Sequence, residues 1–474
     1  MKVNRRHFLS AATLAGAGAA APGWAATGAL TPEQFGAKGD GVTNDSAAFA
    51  DLATAIAIRG GGEIVLRKTT YIVGRQLRAL RAGAVYAFDP MKILEFVGLR
   101  AGLKIRGNGA TLRCAPGLRY GTFSSRTGDK TSNPMPYLGP GELATPYRWM
   151  IRIEDCAGPV EITDLELDGN IGKTLIGGQY GDTGWQIPAV GLFLKNNRGA
   201  EKIARVYSHH HGQDGIQIDG LDADRGSAAA SLIEDVRCEY NGRQGVSLVG
   251  GRGYSFARCK FNHTGRAAVF SNPGAGVDIE AEADKKIRAI SFQACEFSDN
   301  HGPAMVADSG DSEGVSFSRC NFVGATNWAA WPNKPRMRFA DCTFVGPIVR
   351  AWGDKDPARA TQFHNCTFRD DPALSPTGKV YGGENPDRPI GDLPDNRNVL
   401  FNRCHFLLTH QAALPWSVNV IYVDCVMSQK SRKDSFPRGT FLGRNTISGP
   451  AVLADSVNRG TISINGRVTQ QPKM

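Results

Sequence analysis

The sequence predicts an all-β protein, a single-stranded right-handed parallel β-helix with an N-terminal capping helix. Three observations predict it. First, a cysteine recurs two residues before an aromatic: Cys238-Glu239-Tyr240, Cys259-Lys260-Phe261, Cys295-Glu296-Phe297, Cys320-Asn321-Phe322, Cys342-Thr343-Phe344, Cys366-Thr367-Phe368 and Cys404-His405-Phe406. Second, the cysteines are 21, 36, 25, 22, 24 and 38 residues apart. A period near 22–25 with two long outliers is that of a solenoid whose coils carry insertions. Third, the runs between them alternate, as in Val315-Ser316-Phe317 and Met337-Arg338-Phe339, with Gly and Asn between. Period-2 runs with such punctuation are strand and turn chemistry.

Residues 1–26 read as an export signal, leaving residues 27–474 as the β-helix domain. Asn4-Arg5-Arg6-His7-Phe8-Leu9 has a twin-arginine pattern, followed by a weakly apolar Ala/Gly stretch and the small residues of Gly23-Trp24-Ala25-Ala26. The expected location is periplasmic or secreted. No other segment approaches 18 consecutive apolar residues, so no membrane partner is expected after signal removal. The signal holds Lys2, Arg5 and Arg6 and no acid, so its loss lowers the formal charge from +10 to about +7. A basic exported chain favours an anionic partner such as an acidic polysaccharide. Without a Lys/Arg run or a nucleic-acid motif, no nucleic acid is expected. Oligomeric state is not legible.

The mature N-terminal part, residues 27–75, supplies the cap and the first strands. Asp45 is placed as the N-cap of an Ala-rich helix over Ser46–Ile58, ended by Gly60-Gly61-Gly62. Such a helix would plug the open end of the tube, whose first coil otherwise exposes unpaired edge and core. Glu63–Leu66 and Tyr71–Val73 are the first strands.

Phe35-Gly36-Ala37-Lys38-Gly39-Asp40-Gly41-Val42-Thr43-Asn44-Asp45, then a helix, a Gly cluster and a strand ending Thr70-Tyr71, resembles the opening of the rhamnogalacturonase/epimerase-like branch of the pectate-lyase superfamily. Arg67-Lys68-Thr69-Thr70-Tyr71 departs slightly from that group's Pro-Ala-Gly-Thr-Tyr. Ile105–Leu112 and Ile162–Asn170 also resemble its early coils. The resemblance implies the right-handed parallel β-helix over most of the mature chain. As to activity it implies little, because the group spans hydrolases, lyases, epimerases and phage tailspikes.

Insertions interrupt the coils at 115–150, 171–188 and 370–397. The first carries Tyr120, Phe123, Tyr147 and Trp149, the second Trp185. These aromatics either pack on the wall or meet sugar rings in a cleft. The third is polar and Pro-rich and reads as a surface loop. The repeating cysteines read as an inert internal ladder rather than bridges, and without a CxxC no structural zinc site is assigned.

Ungapped alignment of Ile203–Asp219 with Ile233–Val249, with Gly191–Lys195 before and Gly276–Glu280 after, locates the candidate site. Leu192/Leu194, Ile216/Ile218, Val246/Leu248 and Val277/Ile279 share one parity, hence the inside of the tube. The outward columns read Phe193, Gln217, Ser247, Asp278 and Lys195, Asp219, Val249, Glu280. Asp219, Asp278 and Glu280 are the acid/base candidates, since glycosidic cleavage takes one protonated and one ionised carboxyl. Asp219 and Glu280, two coils apart, would be about 9–10 Å apart. Asp278 and Glu280, two residues apart on a strand, would raise one another's pKa. Lys195 is the candidate base of a lyase or epimerase; Arg243, Arg266 and His209–His211 are further cations placed near this face. Gln217, Arg243, Trp185 and Trp331 are assigned to substrate binding. Trp331 stands 11 residues after Cys320, the same offset that places Val249 after Cys238. No metal ligands are assigned, although calcium held by Asp278, Glu280 and Glu282 is an alternative. Asp214 reads as a turn or cap residue, and His210 and His211 as core or turn residues.

The expected function is hydrolysis of a polysaccharide. The alternatives are a lyase or epimerase on a uronic-acid polymer and a non-catalytic polysaccharide-binding protein. The polygalacturonase set Asn-Thr-Asp, Asp-Asp and Gly-His-Gly is absent, so that activity is not assigned.

Overall fold

The computed structural model describes residues 28–79, 84–131, 141–178, 186–223, 230–382, 388–431 and 433–470. The twin-arginine segment and Trp185 lie outside them. Among the described residues, 36 short strands join one hydrogen-bonded ladder. Each strand pairs in parallel with its counterpart one coil later, as Ser231–Glu234 does with Tyr254–Ala257 and Asn321–Val323 with Thr343–Val345. This is the expected parallel β-helix. The ladder closes on a C-terminal antiparallel hairpin, Thr461–Ile464 with Arg467–Gln470.

Because the coils stack in register, like side chains stack on like. One column inside the tube runs Phe261, Phe297, Phe322, Phe344, Phe368, Phe406, with ring centroids 4.7–5.5 Å apart. A second runs Phe256, Phe292, Phe317, Phe339, Phe363, Phe401, Tyr422, Phe441. Rings of the two columns meet edge to face, as at Phe322–Phe339. That combines large apolar burial with favourable quadrupole geometry.

The cysteines line the corner between these columns, but the register corrects their membership. Cys238 pairs with Phe261, so it belongs to the aromatic column. The residue equivalent to Cys259 in the preceding coil is Val236, whose carbonyl accepts from Lys260 N just as that of Cys259 accepts from Glu296 N. Val236 to Cys259 is 23 residues, within the repeat; the 21 counted from Cys238 was the sign of a two-residue slip. Cys425 completes the ladder, continuing from Cys404, and was missed because Val426-Met427 replaces the aromatic tick. All ten cysteines are free and buried. Each ladder thiol donates into the tube, Cys320 Sγ to the carbonyls of Phe292 and Ser318 for example. Each follows a non-glycine residue in the left-handed region: Arg258, Ala294, Arg319, Asp341, Asn365, Arg403 and Asp424 all have φ of 52–54°. A left-handed residue costs about 1–2 kcal/mol, and a small apolar side chain after it leaves room for the sharp turn.

The capping helix is α1 (Ser46–Arg59), closed by Gly60 at φ 72°. Phe49, Leu52 and Ile56 are wholly buried against the first coil, and Phe49 meets Tyr71 edge to face at 5.2 Å. Asp45 holds the N-cap position but turns away from the helix: its carboxylate accepts from Lys38 N and Gly39 N. Asn44 Oδ1 receives Ser46 N instead.

The insertions are not structureless. Gln76–Arg78, Tyr86–Pro90, Arg119–Thr122, Leu143–Ala144 and Leu175–Gly177 form a separate five-stranded sheet. Tyr120, Phe123 and Tyr147 are buried, the two tyrosines in the main core and Phe123 against Phe88 and Ala144 of the side sheet. The segment 370–397 contributes a short 3-10 turn, Pro372–Leu374, and a strand, Gly391–Leu393, that joins the main ladder. No helix among the described residues is long and apolar enough to cross a membrane.

Candidate active site on the outer wall

Six strands carry the site, stacked after Leu94–Val97 and Trp149–Glu154 of the same wall: β1 (Val190–Lys195), β2 (Asp214–Asp219), β3 (Gln244–Arg252), β4 (Ala275–Ile279), β5 (Met305–Ala307) and β6 (Trp331–Pro332). Close stacking at their starts demands glycine: a Cβ on Gly245 would sit 2.5 Å from the Gly276 carbonyl oxygen. Ile216, Ile218, Val246, Val277 and Ile279 face inward and are fully buried, as the parity predicts. Outward, one row runs Phe193, Gln217, Ser247, Asp278, Val306, Trp331, each residue paired to the next. Five steps of about 4.8 Å make this stretch about 24 Å long, and beyond Phe193 the row continues to Arg152 and Glu95.

Trp331 therefore shares the row of Asp278, not that of Asp219 and Glu280. The cause is again the slip at Cys238: eleven residues after Val236, Cys295 and Cys320 stand Ser247, Val306 and Trp331. Its ring is half-buried, with the Arg350 guanidinium 5.8 Å from its centroid. At the other end Phe193 stacks on Trp149 at 5.2 Å, and the guanidiniums of Arg148 and Arg152 lie over the Trp149 ring. Gln217 is partly exposed between these ends.

Asp278 is at the centre of the row and only 3% exposed. Its Oδ2 accepts a 2.7 Å bond from Gln244 Nε2. Burial pushes its pKa up to about 8; Arg243 opposes this, while Glu280, Asp214 and Asp308 add to it. Asp214, read from the sequence as a turn residue, is completely buried, and neither carboxyl oxygen has a hydrogen-bond partner. Burial raises its pKa to about 7 against the pull of Arg243. Arg243 Nη1 lies 3.7 Å from Asp214 Oδ2. Burial works against the Arg243 charge, yet Asp214, Asp278, Glu280 and Glu282 together raise its pKa. Glu280 follows β4, is partly exposed, and accepts a 2.6 Å bond from Ser309 Oγ. Burial also raises Glu282. The wall thus combines a carboxyl that keeps its proton near neutrality, a second carboxylate two residues along, and a buried guanidinium.

The other predicted residues are differently employed. At the end of β2 the register shifts, so Asp219 faces Gly250 rather than Val249 and the proposed column to Glu280 breaks. Asp219 is buried and held by Lys285, with Lys195 Nζ 3.9 Å away. Lys195 also reaches Glu154 Oε1 at 3.4 Å. Asp219 and Lys195 are ion-pair partners of a small network: Glu154 is the strand partner of Lys195 one coil earlier, and Lys285 enters from the turn after β4. The expectation that the whole set opens to solvent fails for Asp219 and Asp278. Asp278, Glu280 and Glu282 do not bring their ligand atoms within 4.8 Å of one another, against the calcium alternative. Arg266 bonds Asp299 and Thr326 at another turn. His211 is buried with Tyr147 Oη on its Nδ1, and His209 is on the neighbouring wall, bonded to Glu166. Asp214 and Gln244 were missed; their signal was the paired turn positions, since Asp214 registers with Gln244.

No protein-family model matches the chain. A capsule KN3-specific depolymerase 1 of Klebsiella phage KN3-1 is 25% identical over 357 residues, covering 66% of this chain and 39% of that relative. The chain therefore spans well under half the length of the curated relative it matches. Among solved structures, the A-module of Azotobacter vinelandii mannuronan C-5 epimerase AlgE4 is 15% identical with a TM-score of 0.42, over 91% of this chain and 99% of that one. An N-terminal fragment of bacteriophage Phi29 gene product 12 is 12% identical with a TM-score of 0.45, over 92% and 71%. The tailspike gp49 of Acinetobacter baumannii bacteriophage Fri1, a capsular polysaccharide depolymerase, is 12% identical with a TM-score of 0.40, over 91% and 64%. Likenesses at this level carry nothing about activity.

Proposed function

We propose that the chain is an exported enzyme that cleaves glycosidic linkages of an acidic surface polysaccharide, with Asp278 as general acid and Glu280 as its basic partner. The observation that carries this reading is Asp278 itself, a buried outward-row carboxyl raised to about pKa 8 with Glu280 two residues along its strand. Glycoside cleavage takes one protonated and one ionised carboxyl, and Asp278 is the one whose surroundings hold its proton. Glu280, just past the end of β4, adds to the upward push on the Asp278 pKa, so the two carboxyls sense one another. Trp331, partly exposed at one end of the row, offers a face for a sugar ring. Arg243 and the basic mature chain fit an anionic polymer, and the phage depolymerase relative supports a capsular one. The twin-arginine motif supports export.

A second reading, elimination or epimerisation on a uronic-acid polymer, is favoured by one observation: Arg243 carries a buried positive charge into a wall where a uronate carboxylate would need neutralising. Lys195 is a poor base for it, being engaged by Glu154 and Asp219. Incubating the chain with a panel of capsular polysaccharides separates the readings. Hydrolysis releases reducing ends without ultraviolet absorbance, and elimination gives both. Epimerisation gives neither but exchanges the uronate C5 hydrogen for solvent deuterium, and a binding protein gives none of the three.

A further inference from the structure

The neighbouring wall carries a second cluster that the polysaccharide reading does not use. Strands Val160–Asp168 and Glu201–His209 pair in parallel with Asp168 opposite His209 and Glu166 opposite Tyr207. His210 follows with φ 55°, a left-handed turn that folds its ring back beside His209. The Nδ1 atoms of His209 and His210 are 2.7 Å apart, and His209 Nδ1 is 3.8 Å from Asp168 Oδ1. One ligand atom from each of Asp168, His209 and His210 lies within 4.8 Å of the others.

The surroundings orient these groups for ligation; the 2.7 Å contact between the two Nδ1 atoms is a hydrogen bond whose shared proton a bound cation would displace to solvent. His209 Nε2 is 3.0 Å from Glu166 Oε1, so the carboxylate holds the ring proton on Nε2 and leaves the Nδ1 lone pair facing the cluster. A carboxylate behind the far nitrogen is the usual support of a metal-bound imidazole. Glu166 is itself oriented by Thr111 Oγ1 at 2.8 Å. Arg113 Nε takes Asp168 Oδ2 at 2.7 Å and Asn170 N takes Oδ1 at 2.8 Å, which steers Oδ1 toward the two rings. Tyr207 stacks on His209 at 4.0 Å and Tyr240 on His210 at 5.1 Å, so neither ring turns freely.

We propose that Asp168, His209 and His210 form a site for a borderline divalent cation such as Zn²⁺, with a fourth position left to water. Two imidazole nitrogens and one carboxylate oxygen are the donor set such ions prefer over Ca²⁺ or Mg²⁺. Tetrahedral coordination needs the two nitrogens about 3.3 Å apart. Opening the present pair by about half an ångström is a small ring rotation for the half-buried His210. The ion would pin the left-handed turn to two adjacent coils.

Co²⁺ reports the site directly. Titrated into metal-free protein, it should give one equivalent of tetrahedral visible bands, displaced by Zn²⁺, and Zn²⁺ should raise the unfolding temperature. His210→Ala should weaken binding at least tenfold while His263→Ala leaves it unchanged. X-ray absorption of the Zn²⁺-loaded native chain should show imidazole and oxygen donors, a measurement that needs no variant to fold. Absence of saturable Co²⁺ binding, thiolate donors, or undiminished binding by folded His210→Ala would each overturn the proposal.

Discussion

Arg243 Nη1 approaches Asp214 Oδ2 to 3.7 Å where both side chains are shut off from solvent. The guanidinium is also drawn on by Asp278, Glu280 and Glu282, so one buried cation balances a group of acids. Breaking a buried charge pair by removing one partner typically costs about 3–5 kcal/mol. At about pH 9, above the folded pKa of Asp214 near 7, Arg243→Ala should lose that order of stability in urea unfolding, and Arg243→Ala/Asp214→Asn should recover a large part of it. If the double variant is no more stable than the single one, Arg243 is not the counter-charge of Asp214.

Stability should fall as pH rises. Asp214 and Asp278 have folded pKa values near 7 and 8, above an ordinary value of 3.8. The folded state therefore keeps protons that the unfolded chain has released. That contribution is whole below about pH 4 and is lost as pH climbs through 7 and 8. Melting temperatures between pH 5 and 9 should decline, and Asp278→Asn should flatten the upper part of the decline. A rise of melting temperature over that range would contradict the protonated assignment.

Asp219 should matter for the wall more than for the reaction. With Lys285 and Lys195 on its carboxylate, Asp219→Asn removes an ion pair and leaves Lys285 without its partner. The expected result is a loss of about 1–3 kcal/mol in denaturant unfolding, with turnover within tenfold of the native chain. A thousandfold loss of turnover would return Asp219 to the acid/base pair.

The thiol ladder should be chemically silent until the tube opens. Burial pushes the Cys425 thiol up to about 12, and all ten cysteines are free. Alkylation followed by mass spectrometry should label none in the native chain and ten after denaturation. Reductant should leave the unfolding curve unmoved. Phe322→Ala, in the middle of the aromatic column, should cost about 3–5 kcal/mol.

The winding was legible because a stacked fold repeats its inward parity in every coil, and Ile216/Ile218 through Val277/Ile279 announce it. The capping helix was legible from Asp45, the alanines and Gly60, although the Asp45 carboxylate serves a preceding loop. A single slip, counting from Cys238 instead of Val236, displaced both the cysteine ladder and the row of Trp331. Asp278 fell on the right face, yet its burial did not show, because solvent exclusion on an outer wall depends on turns distant in sequence. Lys285 reaches Asp219 from such a turn, whereas Glu154 meets Lys195 as its strand partner in a coil that the alignment did not extend to.

The protonated Asp278 is tested most directly by turnover of a cleavable capsular polysaccharide against pH, native chain beside Asp278→Asn. The native rate should fall as pH passes about 8, and Asp278→Asn should be slower by about 10²–10⁴ at neutral pH with polymer binding intact. A variant that retains more than a tenth of the native rate, or a native profile flat through pH 9, would contradict the role given to Asp278.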